Sequence, residues 1–172
     1  MAVEFRTAVE SDAPELATFP IEVFSETFGP HNTAANMRQY LSTSLTPEVI
    51  RTQLQRSAGG TLLGIEDAII KAYAMVLPDE PHAHDDLPAD SLFLQRFYLD
   101  SDLHGSGVAA RLLEQVIDHV NLSGSNGLWL TVWEHNPRAI RFYEKFGFTT
   151  IGACPFQFGD ELQSDLVMLR PC

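Results

Sequence analysis

Between Leu92 and Phe148 the chain gathers residues suited to holding an anion and moving a proton. Gly105 and Gly107 flank Ser106, after the apolar and aromatic run Leu92–Leu99 and before an amphipathic run reaching Val120. Glycine accepts positive φ, and its missing Cβ lets a ligand approach the main chain. The free N–H groups of a helix starting near Ser106 would point at whatever sits in front, with the dipole favouring an anion. Pyrophosphate is the natural guest of such a turn. A second apolar run, Leu128–Trp133, leads into Glu134-His135-Asn136 and then a short helix ending in Phe146-Gly147-Phe148. Two such strands can hold an extended ligand between them.

Other readings of the glycines carry different chemistry. A Gly-x-Gly can be no more than a tight turn with a cap. Gly105 to Ala110 also fits the dinucleotide fingerprint G-x-G-x-x-G/A. Against that, about five residues separate the strand end near Leu99 from the glycines, whereas a Rossmann turn follows its strand directly. Too little chain remains for a doubly wound half, and no Lys-Ser/Thr follows the glycines, which excludes a P-loop.

Pattern along the rest of the chain gives the scaffold. Val3–Ala8 alternates as a half-buried strand does. Ser11 is expected to cap a helix carrying Leu16, Phe19, Val23, Phe24 and Phe28, which Gly29-Pro30 ends. Asn32 or Thr33 would cap a second helix to Leu45, and Thr46-Pro47-Glu48 opens a third. Thr61–Ile65 and Ala68–Leu77 read as a hairpin turning at Glu66-Asp67, and Thr149–Phe158 with Leu162–Leu169 as a closing hairpin turning at Gly159-Asp160. The fold class is therefore α/β (α+β): one mixed, mostly antiparallel sheet of about seven strands flanked by helices. Phe5, Phe19, Phe24, Phe28, Leu63, Ile65, Ile69, Leu94, Leu112, Val116, Leu130 and Phe142 are the expected core, and Trp129 and Trp133 are expected to share a core-facing side of their strand.

Bulk properties narrow the partners. The 172 residues are most simply one domain, and no apolar run approaches the ~20 residues of a membrane span. The amino-terminal residues lack a basic-then-apolar leader, so the chain is expected in the cytoplasm and away from the membrane. A net charge of −12 repels nucleic acid and attracts a small cationic substrate such as a polyamine. Cys154 and Cys172 are too few and too far apart for a disulfide framework or a zinc motif. Pro78–Asp90, with five acids and no Lys or Arg, reads as a solvated loop, and its His82 and His84 beside Asp85 and Asp86 make a weak metal candidate. No metal is expected.

The pattern His104-Gly105-Ser106-Gly107-Val108-Ala109, followed by Asn136-Pro137-Arg138-Ala139-Ile140-Arg141-Phe142-Tyr143-Glu144-Lys145-Phe146-Gly147-Phe148, resembles the acetyl-CoA motif of the GNAT N-acetyltransferases. One departure stands out: His104 sits where Gln or Arg is usual. Glu26–Thr33 and Phe156–Leu166 look like the branch of that family containing bacterial spermine/spermidine acetyltransferases. The resemblance implies transfer of acetyl from acetyl-CoA, as cosubstrate, to a primary amine by direct attack, the amine belonging to a small molecule such as a polyamine.

It also implies roles for particular residues. Main-chain groups of Phe97, Tyr98 and Leu99 would hold the pantetheine; those of His104, Gly105, Ser106, Gly107, Val108 and Ala109 would hold the pyrophosphate. Asn136 would contact the cofactor arm, and Tyr143 would protonate the leaving sulfur. For the general base, Glu134 leads, with Glu26, Glu66, His135 and a water chain as alternatives. By the same analogy a homodimer is expected. The rival readings are a non-catalytic acyl-CoA sensor and a protein or peptide N-acetyltransferase.

Overall fold

The computed structural model describes residues 3–57, 60–78, 80–81 and 83–172, with backbone alone at residues 22 and 27. Seven strands run in chain order: β1 (Glu4–Thr7), β2 (Thr61–Glu66), β3 (Ile69–Leu77), β4 (Leu92–Leu99), β5 (Gly127–Trp133), β6 (Thr149–Phe158) and β7 (Glu161–Pro171). The helices are α1 (Ala13–Phe28), α2 (Ala34–Ser44), α3 (Pro47–Ser57), α4 (Val108–Ser123) and α5 (Pro137–Lys145). The strands form one sheet in the order β1-β2-β3-β4-β5-β7-β6. β4 and β5 pair in parallel and every other pairing is antiparallel. The mixed, mostly antiparallel sheet expected from the sequence is the one that forms.

Alternation along β3 assigns the two layers. Ala72, Ala74 and Val76 face one side, where with Leu128, Leu130 and Met168 they meet Leu112, Leu113, Val116 and Val120 of α4. Tyr73, Met75 and Leu77 face the other, against Leu16 and Ala17 of α1 and Ile50 and Leu54 of α3. Each fully buried Leu or Val contributes about 1.5–3 kcal/mol. A surface ion pair contributes ~1 kcal/mol or less, so these two layers, not the charged exterior, hold the sheet between its helices.

Local signals mostly act where expected. Thr33 caps α2, its hydroxyl accepting from the Asn36 amide at 3.2 Å, and Pro47 is the first residue of α3. Ser11 does not cap α1. The chain makes a short 3-10 turn over Glu10–Asp12 instead, and the Asp12 carboxylate accepts from the Val9 amide at 2.8 Å while gripping Arg6.

The β2–β3 turn centres on Asp67 and Ala68, at φ 52° and 64°, one residue later than expected. A two-residue hairpin needs both central residues at positive φ to match strand twist. The shift reverses the facing at the start of β3: Ile69, expected in the core, is 54% exposed, and Ile70 is buried in its place.

The proline-rich acidic segment is packed rather than free. Leu87 is buried against Trp129, Val167 and Leu169, and the His84 ring seats over the bare backbone of Gly152 on β6. His84 Nδ1 accepts from the Asp86 amide at 3.2 Å. His82 lies outside the described residues. Among the described residues no three metal-binding side chains gather.

Candidate active site

The site begins where two strands part. β4 and β5 pair only at Leu92↔Leu128 and Phe93↔Trp129. Beyond that, β4 stays with β3 as far as Ala72↔Leu99, and β5 stays with β7 as far as Trp133↔Asp165. The cause of the divergence is local. Met75 faces Arg96 but Val76 faces Leu94, so Gln95 is an extra residue in β4. Such a bulge bends its strand and sharpens its twist.

The inner edges of Leu94–Leu99 and Leu130–Trp133 therefore present main-chain N–H and C=O groups without strand partners. Groups of that kind demand hydrogen bonds when buried, and an extended ligand can supply them as an added strand would. A cleft of about 400 Å³ lies between the edges, lined from both. Phe97, Tyr98 and Leu99 all line it.

At one end the cleft meets the glycine turn. Gly105 and Gly107 both take positive φ, 79° and 84°, and a Cβ at either would meet nothing within 4 Å. Positive φ, not crowding, calls for glycine here. Ser106 ties the turn, its hydroxyl donating to the Leu103 carbonyl at 2.6 Å and accepting from the Val108 amide at 3.3 Å. The amides of Ala109 and Ala110 have no acceptor among the described residues, as the first turn of α4 requires. Upstream, Asp100 accepts from Lys71 Nζ at 2.7 Å and from the Asp102 amide at 3.0 Å, locking the exit of β4. The ammonium beside it holds the Asp100 carboxyl below its ordinary range.

His104 and Val108 complete this end. Val108 turns its side chain into the core, leaving its backbone to the turn. His104 lines the cleft, with Arg138 Nη1 donating to its Nδ1 at 3.3 Å. Burial, then the nearby Arg138 charge, lowers the His104 pKa, so the ring is neutral at pH 7. Arg138 also lines the cleft. A cation thus stands beside the histidine that occupies the usual Gln/Arg position. The sequence displayed it two residues past the cap of α5, without the proximity.

α5 brings the phenol. Asn136 Oδ1 accepts from the Ala139 amide at 3.1 Å, capping α5, and Pro137 follows at the first helical position. The cap leaves the Asn136 amide nitrogen for the cleft, which the residue lines. Further along the helix Tyr143 is 9% exposed, edge-on to Phe97 at 6.2 Å between ring centres. Its hydroxyl has no hydrogen-bond partner among the described residues, unlike that of a satisfied core tyrosine. Burial raises its pKa well above the ordinary phenol value, so it stays protonated and able to donate.

The opposite end is aromatic. Phe24 and Phe28 of α1, Tyr40 of α2, Trp133 of β5, and Phe156 and Phe158 of β6 line it. Phe24 stacks on Tyr40 at 4.7 Å, and His31 lies 5.1 Å from Trp133. Trp129 is in the core as expected, but Trp133 walls the cleft. Two interactions pin this wall: Gln163 donates to Asn32 Oδ1 at 2.7 Å, and the Asp160 amide donates to Asn36 Oδ1 at 3.2 Å.

Two charged groups here escaped sequence reasoning. Arg96 is 3% exposed, donating to Gln53 Oε1 and to the Ser44 carbonyl at 2.8 Å. Asp165 is 8% exposed, opposite Trp133 on β7; burial lifts its pKa to about 6 against the pull of the Thr131 hydroxyl. An acid set directly against the apolar run Leu166–Leu169 was the available signal.

The base expected from sequence sits elsewhere. Glu134 is outside the cleft, on a shallow depression shared with Cys154, Pro155 and Leu162, with its carboxylate 3.8 Å from His135. Strand β5 ends at Trp133, and the Glu134 amide still donates to the Ser164 carbonyl of β7 at 3.3 Å. Glu26 is exposed on α1, and Glu66 ends β2 away from the cleft lining.

Comparison with known proteins agrees with this architecture. The sequence profile of the acetyltransferase (GNAT) family matches residues 24–148. An uncharacterized N-acetyltransferase from the pepI 3' region of Lactobacillus delbrueckii subsp. lactis is 25% identical over 161 residues, covering 94% of this chain and 92% of the relative. The spermine/spermidine N(1)-acetyltransferase of Bacillus subtilis (strain 168) is 31% identical over 77 residues, 44% of this chain and 51% of that one. The crystal structure of the PaiA N-acetyltransferase of Thermoplasma acidophilum in complex with coenzyme A superposes at a TM-score of 0.80, with 18% identity and full coverage of both chains.

Proposed function

Since the chain belongs to the acetyltransferase (GNAT) family and is an acetyl-CoA-dependent N-acetyltransferase, we propose that its acceptor is the primary amine of a small alkyl polyamine. The observation that carries this reading is the far end of the cleft, where the aromatic rings of Tyr40 and Trp133 line the wall together with a buried carboxylate, Asp165. Rings of that kind attract an alkylammonium through their negative faces, by about 0.5–2 kcal/mol each, and pack against its methylenes. The net charge of −12 and the partial match to a spermine/spermidine acetyltransferase point the same way.

The residues divide the work along the cleft. The coenzyme supplies the thioester. The free edge at Phe97, Tyr98 and Leu99 bonds the pantetheine amides, while amides from His104 to Ala109, with Gly105, Ser106 and Gly107 shaping the turn, bind the pyrophosphate. Arg138 adds the charge that His104 lacks. Asn136 holds the start of α5 and offers its amide nitrogen to the arm. Tyr143 donates its proton to the departing sulfur.

Thiol release from acetyl-CoA with spermine, spermidine, an aminoglycoside, an amino acid and a short peptide tests the reading. Turnover is expected on the polyamines. Turnover on the peptide alone would transfer the assignment to protein or peptide acetylation. Tight coenzyme binding without turnover on any amine would favour a sensor.

A further inference from the structure

We propose that Asp165 is the group that receives the acceptor amine and takes its proton during acetyl transfer, a role that rests on the N-acetyltransferase reading but not on the polyamine. Asp165 is an acid buried in the cleft wall, directly across the ladder from Trp133. Along β7 it shares a face with Val167 and Leu169, the side opposite the α4 layer that holds Tyr143. Donor and acceptor of protons therefore stand on opposite sides of the gap between β4 and β5. An amine adding to the face of a thioester carbonyl held in that gap can then lose its proton on one side while the sulfur gains one on the other.

The surroundings set its ionisation. Thr131 on β5 favours the carboxylate, and Glu134 at the end of that strand opposes it. Cys154 on β6 faces it across the ladder, Tyr40 of α2 feels its charge, and Arg96 of β4 stands in the same cleft with its guanidinium committed to Gln53 and Ser44. No lysine or arginine pairs with it among the described residues. With a pKa of about 6 it is ionised at neutral pH, yet basic enough to accept a proton from a nitrogen that turns acidic as it attacks.

The balance is simple. The acceptor sheds its ammonium proton to solvent and binds as the free amine. Its lone pair forms the C–N bond as the C–S bond breaks, Asp165 takes the proton that the attacking nitrogen sheds, and Tyr143 gives one to the sulfur. Asp165 releases its proton to solvent and Tyr143 regains one from it, for a net yield of amide, free thiol and the one proton lost by the ammonium.

The test is kcat/KM against pH from 5 to 9 for whichever panel amine is acetylated, with calorimetric acetyl-CoA binding alongside. In the native enzyme an ascending limb is expected near pH 6. Asp165→Asn should lower kcat at least 100-fold, abolish that limb and keep coenzyme affinity within threefold. Thr131→Val should move the limb to higher pH and Glu134→Gln to lower pH, which keeps the idea testable if the Asn variant does not fold. A limb unmoved by all three, with the fold intact, would overturn it. Activity on a peptide but not on polyamines would sink the acceptor assignment alone, leaving Asp165 to be judged on that peptide. No turnover on any amine would sink both.

Discussion

A phenol held in an apolar wall with its hydroxyl unclaimed is poised to give a proton, and Tyr143 is in that state. Tyr143→Phe keeps the ring contacts with Phe97 and Phe148 and removes only the acid. We expect kcat to fall by about 10²–10⁴ with acetyl-CoA affinity unchanged, read by thiol release and calorimetry. Asp165 carries an opposite strain. Its folded pKa of about 6 lies above the ordinary carboxyl value, so the native state holds a proton that the unfolded chain has released between about pH 4 and 6. Stability contributed by that proton is present below pH 4 and lost as pH rises through 6. Asp165→Asn should therefore be more stable than the native protein at pH 7, by about 1–3 kcal/mol in denaturant midpoint analysis, and no more stable at pH 4. A more stable, less active variant is the signature of a site that trades stability for function.

At the scale of elements, the glycine turn and α5 have to be in step. Gly107 sits at the cap of α4 with φ 84°, where an L side chain is strained by roughly 1–2 kcal/mol. Gly107→Ala should lower the melting temperature by a few degrees and weaken coenzyme binding more than ten-fold, because the amide array is displaced. Arg138→Ala removes the cation beside His104 and leaves the glycines of the turn in place. It should weaken binding of CoA about ten-fold, and binding of a pantetheine thioester lacking the phosphates not at all; equal losses for both ligands would assign Arg138 elsewhere. The bulge at Gln95 is the element on which everything else depends, since a regular β4 would close onto β5 and leave no edge free.

Across the molecule, the charge of −12 is spread over a surface whose two sheet layers are held by apolar packing. Such a field concentrates cations near the surface and is screened by salt. For a polyamine, kcat/KM should fall several-fold between about 20 and about 300 mM salt, while a neutral-tailed monoamine should lose far less. Equal slopes would detach the charge from substrate capture.

Short-range chemistry made much of this protein legible before any coordinate: the cap at Thr33, the proline start of α3 and the positive-φ glycines. The motif residues from His104 to Tyr143 were legible for the same reason, since a turn, a cap and a helix place them within one continuous stretch. Hairpin register was less legible, and one residue of slip at Asp67 and Ala68 turned Ile69 out to solvent. Long-range packing alone chose the carboxylate that enters the cleft. Glu134 is adjacent in sequence to the strand end and lines a separate depression, whereas Asp165 arrives from the other end of the chain because β7 inserts between β5 and β6. Which strand lies beside which is settled by burying whole faces together, and no spacing within a single strand records that choice.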